Sequence, residues 1–378
     1  MFKAMKFPTA RIRRPNRLRK GSESKPRIKL ILGPAGAGKS RQGEIEAKQF
    51  TQKVFLAITA ALVQNAPKSF QSKFTIAAFL ARKVKVNPKT VIYIDEISMV
   101  PAQTLNRLLA QNPQNQYIMT GDQFQIKPIM QPGEDKNKCW WFTADEYKKR
   151  AVDTKVLKEQ HRLTGKECTL IRSILQTMAT PHADEQIWKE QLVQFIAQRR
   201  TKTPEKNARI IVFTNEDLKY QTEKWAKDNH LTLNTHGLVT GMPVVITTNK
   251  PHPSIPQEYE HRNGQRGTLV ALKKRYAAVK DDETDQIIKV KHKGFIPQIK
   301  SGIAETADSA QGKTIKEPVH IIINKYIPDL AHFIVAATRS KITTFNTTNN
   351  SMASIENKIM NAKTCPQIKH FTNSLESI

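Results

Sequence analysis

The run Gly33-Pro34-Ala35-Gly36-Ala37-Gly38-Lys39-Ser40 restricts what this chain can fold into more than any other stretch of its 378 residues. It completes the pattern GxxxxGK[ST]. A short β-type run, Ile28–Leu32, precedes it, and helical character from Gly43 to Phe50 follows. A glycine-rich turn between a strand and a helix lets successive backbone N–H groups face phosphate oxygens, and the helix N-terminus adds its partial positive charge. In that frame Lys39 reaches the terminal phosphates of a nucleotide and Ser40 offers its hydroxyl to Mg²⁺. The residues Gly33, Pro34, Ala35, Gly36, Ala37, Gly38, Lys39, Ser40 and Arg41 form the candidate nucleotide site. A chance glycine-rich turn is the alternative, and the flanking strand and helix weigh against it.

The surrounding pattern is α/β. Val54–Ile58, Val91–Ile94 and Tyr117–Thr120 read as further strands and Thr75–Ala81 as a short helix. Strands alternating with helices predict a parallel sheet. From Gly165 to about Arg200 the apolar period is helical, broken at Pro181, and a second α/β segment runs through Arg209–Phe213 and Val319–Ile323. Between these two strands, Gly241–Val270 and Ile287–Val290 have the texture of short antiparallel strands with Gly and Asn turns, which predicts a small β-barrel insertion. The expected plan is a disordered basic arm over 1–27, a first domain over 28–150, a helical junction over 151–205, a second domain over 206–345 with its β insertion at about 237–300, and a polar tail over 346–378.

Sixty-one Lys or Arg against thirty-three Asp or Glu leave a formal charge of +28. A charge this positive predicts a polyanionic partner, nucleic acid first and an anionic membrane second. The first thirty residues concentrate it, with eleven Lys or Arg and one acid, Glu23. That arm reads as a solvated tail adding loose nucleic-acid affinity, or as a nuclear or mitochondrial address. The longest apolar runs are too short to span a bilayer, and no secretory apolar region follows the first residues, so no membrane role is expected. Cys139, Cys168 and Cys365 lie far apart and form no disulfide framework, which fits an intracellular, reducing compartment. Nucleus, cytoplasm, mitochondrion and a viral replication site all remain open. The histidines show no metal-ligand spacing, so no zinc site is expected.

Four further groups complete a site. Ile92-Tyr93-Ile94-Asp95-Glu96 sets two carboxylates at the carboxyl end of a buried strand, where the ligand crevice of an α/β sheet lies. Asp95 is placed to hold Mg²⁺ through water, and Glu96 to orient and deprotonate an attacking water. Gln125, in Thr120-Gly121-Asp122-Gln123-Phe124-Gln125, is placed to sense a γ-phosphate. Arg162 and Arg339 can close on the same phosphate and stabilise transition-state charge. Thr59, Thr75 and Thr314 are candidate phosphate contacts for a nucleic-acid strand, which position without reading sequence. Phe79 and Phe124 read as core or as base-stacking platforms, with core the plainer reading. The cluster Trp140-Trp141-Phe142 reads as packing between domains, or as a separation pin or base platform.

In this order the blocks resemble the motif series of a superfamily 1 helicase over roughly residues 28 to 341. Gly33–Ser40, Asp95-Glu96, Gly121–Gln125, Gln160-His161-Arg162, Thr306–Thr314 and Val335–Lys341 stand for motifs I to VI. Gly241–Asn249 followed by Arg262–Val270 resembles the signature of the RecD/Dda-like, PIF-type branch. Asp308-Ser309 stand where that branch commonly has His-Lys, and Ala77 where it has His. The resemblance implies two RecA-like parallel-sheet domains with an SH3-like β-barrel inserted in the second. It implies an ATP- and Mg²⁺-dependent helicase that hydrolyses ATP between the domains and moves 5′→3′ along single-stranded nucleic acid, DNA in preference to RNA, as a monomer, in replication or repair. It also adds Gly312 to the nucleotide site and Asn263 to the strand-contacting residues. A viral-type superfamily 1 RNA helicase and a non-motor nucleic-acid-binding protein remain as alternatives.

Overall fold

The computed structural model describes residues 28–128, 139–178, 184–251, 259–313, 315–324, 329–347 and 352–362. The basic arm, Thr314 and Cys365 lie outside the described residues, as does the tail beyond residue 362.

The first sheet is six-stranded and wholly parallel. Its strands are β1 (Ile28–Leu32), β2 (Lys53–Ala57), β3 (Ser72–Thr75), β4 (Val91–Ile94), β5 (Tyr117–Gly121) and β6 (Val152–Val156), in the order β3-β2-β4-β5-β1-β6. An all-parallel sheet is covered on both faces, so its inner strands are apolar without alternation. In β4, Ile92 and Ile94 enter one core with Leu30 and Leu105, while Val91 and Tyr93 enter the other with Phe55 and Phe70. The helices α1 (Lys39–Ala47), α2 (Ala60–Gln64), α3 (Ile76–Ala81), α4 (Ala102–Gln111) and α5 (Asp145–Lys148) surround it. Helix α4 buries Leu105, Leu108 and Leu109, an i, i+3, i+4 stripe.

The sheet runs past the boundary expected at residue 150. Strand β6 alternates half-buried Val152, Thr154 and Val156 with exposed Asp153 and Lys155, the pattern of an edge strand rather than a buried one. Trp141 packs with Ala144 and Tyr147 in the first core, Phe142 packs against it and Trp140 is also buried, so the aromatic cluster lies within the first domain and not in the expected position between the domains. Phe79 is fully buried in the same core.

Helices α6 (Thr169–Met178) and α7 (Glu185–Gln198) follow, then β7 (Arg209–Val212) and α8 (Asn215–Asp228). The chain next builds β8 (Pro243–Ile246), β9 (Lys250–Pro251), β10 (Tyr259–His261), β11 (Arg266–Leu272), β12 (Tyr276–Asp281), β13 (Ile287–Lys291) and β14 (Ile299–Ser301). Five of these form an antiparallel sheet, β13-β12-β11-β8-β14, with its own core of Val244, Ile246, Leu269, Val279 and Val290. The chain then returns through β15 (Ala304–Thr306), α9 (Ala307–Ala310), β16 (Val319–Ile322), α10 (Leu330–Ala337), β17 (Thr343–Asn346) and α11 (Met352–Met360). The second parallel sheet has the order β15-β7-β16-β17.

The region expected as a polar tail contains a packed helix. Ile355 and Ile359 of α11 are buried in the second core. The Lys189 ammonium donates to the carbonyls of Met360 and Ala362 at 3.3 and 2.8 Å, closing the helix end. An apolar pair four residues apart is a weak signal inside an Asn- and Thr-rich stretch. Helices α6 and α7, expected as a junction, share that same core with Phe124 and Ile126 from the first half. The two halves are thus joined through side chains as well as through the chain.

Candidate nucleotide site

The carboxyl ends of the parallel strands converge on one cleft. Gly36 (φ 84°) and Gly38 (φ 80°) hold left-handed backbone in the loop between β1 and α1. At Gly36 a side chain is also excluded by space, because a Cβ there would lie 2.7 Å from Cβ of Arg162. The segment carrying Arg162 is pinned over the loop, since the His161 N–H donates to the Gly36 carbonyl at 2.9 Å and the Leu157 N–H to the Leu32 carbonyl at 2.8 Å. The order of the sheet explains this: β6 lies beside β1, so the chain leaving β6 crosses the phosphate loop.

A cavity of about 350 Å³ opens there, lined from the first half by Ala35, Gly36, Gly38, Lys39, Ser40, Arg41, Glu96 and Gln125. Arg162 also lines it, and the second half contributes Gly312 and Arg339. Gly33, Pro34 and Ala37 shape the loop from behind: the Gly33 N–H donates to Gly121, and the Pro34 carbonyl accepts from the Lys39 ammonium at 3.0 Å. Asp122 and His161 line the cavity too and were not singled out from the sequence. Asp122 lies 3.8 Å from the Lys39 ammonium, and burial pushes its carboxyl up while Lys39 pulls it down. A carboxylate next to the phosphate-loop lysine could have been suspected from the Gly-Asp ending of β5.

Asp95 and Glu96 do different things. One oxygen of Asp95 accepts from the Thr120 hydroxyl at 2.6 Å, and from Ser40 and Tyr93 hydroxyls at 3.3 Å each. Burial and the neighbouring Glu96 push its carboxyl up, against the hydrogen bonds from Thr120 and Ser40. A hydroxyl and a carboxylate oxygen side by side fit a hydrated Mg²⁺, which prefers few protein ligands and keeps its waters. Glu96 adopts left-handed backbone (φ 54°), uncommon outside glycine.

The Glu96 carboxylate accepts from Gln125 Nε2 at 2.6 Å, and Gln125 Oε1 in turn accepts from Gln311 Nε2 at 3.2 Å. Gln311 belongs to the second half, so three side chains carry a contact from the carboxylate across the cleft. The sequence resemblance contained Gln311 without giving it this role.

Arg339 is 2% exposed. Its guanidinium donates to the Val335 carbonyl at 2.8 Å, the Lys313 carbonyl at 3.1 Å and the Thr338 hydroxyl at 3.1 Å. Lys313 is itself tied to the buried Glu305 at 2.7 Å. Burial, then repulsion from Arg162, pushes Arg339 down to about 10, against attraction from Asp122 and Glu96. Burial also lowers Arg162, with the same two carboxylates opposing it. Two neighbouring guanidiniums brought out of water are a costly arrangement unless an anion sits between them.

The strand-contact candidates lie elsewhere on the same edges. Thr75 caps α3, its hydroxyl accepting from the Ala78 N–H at 3.2 Å, and Thr59 caps α2 through the Leu62 N–H at 3.3 Å. Thr59 follows β2 and Thr75 ends the adjacent β3, so both lie at the carboxyl edge of the sheet. Thr306 and Thr214 repeat the arrangement after β15 and β7, accepting from Ser309 and Asp217 N–H groups. Asn263 stands apart, in an exposed turn of the insertion, where its N–H donates to Asn249 Oδ1 at 2.9 Å. Phe124 is buried in the second core and is not available for stacking.

The architecture and the cleft define a P-loop fold of two RecA-like domains facing each other across a nucleotide-sized cavity. A family model described as an AAA domain matches residues 17–189. The chain shares its fold with solved Pif1 helicases. A Bacteroides Pif1 helicase in complex with ADP-AlF3 and ssDNA superposes with a TM-score of 0.65 at 17% identity, covering 93% of this chain and 94% of that one. Bacteroides Pif1 bound to ssDNA gives 0.64 at 16% over 94% of each chain, and Pif1 helicase from Candida albicans gives 0.59 at 16% over 91% and 95%. No curated protein matches the chain in sequence.

Proposed function

We propose that this chain is an ATP-driven helicase or translocase that moves along single-stranded DNA. The observation that carries the reading is Arg339, drawn from the second domain yet buried beside Arg162 at the mouth of the phosphate loop. Two converging guanidiniums with Lys39 suit a triphosphate, and two of the Pif1 helicases that share the fold were solved with ADP-AlF3 and single-stranded DNA, or with single-stranded DNA alone. Lys39 holds the β- and γ-phosphates, Glu96 orients and deprotonates the attacking water, and Gln125 reports the γ-phosphate. Arg162 and Arg339 neutralise charge on the transferring group. Mg²⁺, held by Ser40 and through water by Asp95, supplies charge neutralisation when bound. Loss of the γ-phosphate removes the anion between the arginines, so the domains part, and the Glu96-Gln125-Gln311 contact lets that movement reach the strand-binding edges. Backbone N–H groups and hydroxyls around Thr59, Thr75 and Thr306 grip the strand alternately. We propose 5′→3′ movement and a monomeric motor working in a reducing compartment.

The test is ATP turnover with and without single-stranded DNA, alongside unwinding of 5′- and 3′-tailed duplexes in DNA and RNA. Turnover rising many-fold with the strand and unwinding of the 5′-tailed DNA are the expected results. Equal turnover with and without a strand defeats the motor reading, and 3′-tailed or RNA preference defeats the finer assignment.

A further inference from the structure

Strand β15 buries a carboxylate where its neighbours are apolar. Glu305 is 4% exposed, follows the buried Ala304 and stands opposite the fully buried Ile211 of β7 in the ladder. A carboxylate taken out of water is costly unless cations answer it. Lys313 answers one oxygen, its ammonium donating to Glu305 Oε2 at 2.7 Å. The Arg209 guanidinium lies 3.8 Å from Oε1, which accepts no hydrogen bond among the described residues. Arg209 makes its closer contact with Glu317, at 2.9 Å. Arg266, half-buried in β11, donates to the Gly302 carbonyl at 2.7 Å and adds to the cationic surroundings.

Lys313 lies in the short segment that leaves α9, and every residue described in that segment has a partner at the cleft. Gln311 donates to Gln125 Oε1 at 3.2 Å and to the Ile126 carbonyl at 3.4 Å, both in the first half. Gly312 (φ 75°) turns the backbone and lines the nucleotide cavity. The Lys313 carbonyl accepts from Arg339 Nη1 at 3.1 Å, and the Ile315 N–H donates to the Arg339 carbonyl at 2.9 Å. The segment therefore holds Arg339 by its side chain and by its backbone. Neither Glu305 nor Lys313 lines the cavity.

An apolar pair filling the same volume would stabilise the fold as well or better. What the ion pair adds is direction. By tying the Lys313 side chain into the sheet, Glu305 fixes how the Lys313 carbonyl faces the guanidinium.

We infer that Glu305 is a positioning residue for ATP hydrolysis, acting through Lys313 to aim Arg339 at the terminal phosphate. The inference rests on the proposed function, in which Arg339 neutralises charge on the transferring group.

The experiment is a double-mutant cycle in the full chain. Steady-state ATP turnover, affinity for a fluorescent ADP analogue and the denaturant midpoint are measured for each variant. Lys313→Met keeps most of the stem and removes the ammonium. It should lower the turnover number about ten- to a hundredfold, as a small misplacement of a group at the chemistry does. KM and ADP affinity should stay near wild type, because the lost interaction belongs to the transition state. Lys313→Arg can still reach Glu305 and should restore most of the rate. In an Arg339→Ala background Lys313→Met should lower turnover no further, because the group it aims is gone. Should removing one partner unfold the chain, Glu305→Gln with Lys313→Met removes both charges together and the cycle is repeated with that pair.

Equal losses with and without Arg339 overturn the inference, since they mark a structural role. Equal losses in Lys313→Arg and Lys313→Met overturn it as well. Low turnover in Arg339→Ala beside wild-type turnover in Lys313→Met defeats the inference alone. Undiminished turnover in Arg339→Ala defeats the proposed function and the inference with it.

Discussion

The two parallel sheets bring their carboxyl ends to one cavity but hold their functional groups in different ways. In the first, the residues around the nucleotide come mainly from one loop, and backbone conformation does the positioning: Gly36 and Gly38 take left-handed φ, and helix α1 begins at Lys39. In the second, the main contribution is a single side chain, Arg339, held by three hydrogen bonds to Val335, Lys313 and Thr338. The first sheet is uninterrupted by antiparallel strands, whereas the antiparallel insertion separates β7 from β15 in the second. A cradle built from backbone is rigid and local. A charge delivered from another domain reaches the cavity only while the domains are closed, as the proposed motor requires.

Removing the delivered charge should have the largest effect. Arg339→Ala is expected to lower the turnover number about 10³-fold or more while single-strand affinity changes little, measured by steady-state ATPase and fluorescence anisotropy. A residual rate near wild type would mean that the second domain contributes no chemistry. Lys39→Ala attacks the cradle instead and should cost about 10²- to 10³-fold, with nucleotide affinity falling as well.

Cutting the contact between the halves should be milder. With Gln311→Ala, basal hydrolysis should persist while stimulation by single strands falls about tenfold, because the variant removes the hydrogen bond to Gln125 and leaves Glu96 in place. Unchanged stimulation would assign the coupling to another route.

Gly43→Ala probes rigidity in the first half. A Cβ at Gly43 would lie 2.4 Å from the ring of Tyr93, which is fully buried between Phe55 and Phe70. The expected loss is about 1–3 kcal/mol of stability, read from a denaturant midpoint. A neutral outcome would show that the cradle yields.

The smallest effect concerns the second half. Burial alone would lower His332, but the Asp308 carboxylate 3.6 Å away and a hydrogen bond with Asp329 at 2.6 Å outweigh it and raise the ring to about 9. A raised histidine binds its proton more tightly in the folded state. Its contribution is therefore complete below the unfolded value near 6.5 and disappears as pH rises through about 9. Both carboxylates are substantially exposed, so the change should be within about 1 kcal/mol. Asp329→Asn should flatten this part of the stability profile, and an unaltered profile would remove the ion pair from the account.

Much of this could be read along the chain. The phosphate loop, the apolar strand before Asp95 and the antiparallel texture of the insertion are short-range patterns, and each appears in the structure within a residue or two. Strand β6 was missed because an edge strand needs one covered face and so alternates with Asp153 and Lys155. Helix α11 was missed because Ile355 and Ile359 acquire meaning from the α7 surface they meet. Asp122, His161 and Gln311 were missed as site residues because their roles arise from neighbours distant in sequence.

Sequence alone determined the cradle, because glycine's freedom at positive φ and the strand–turn–helix order act between residues close along the chain. The tertiary structure decided that Arg162 lies over Gly36, that Arg339 reaches the same cavity as Lys39, and that Glu96 touches Gln311 through Gln125. Those relations depend on how two sheets pack across a shared core, and nothing in the local backbone specifies that distance.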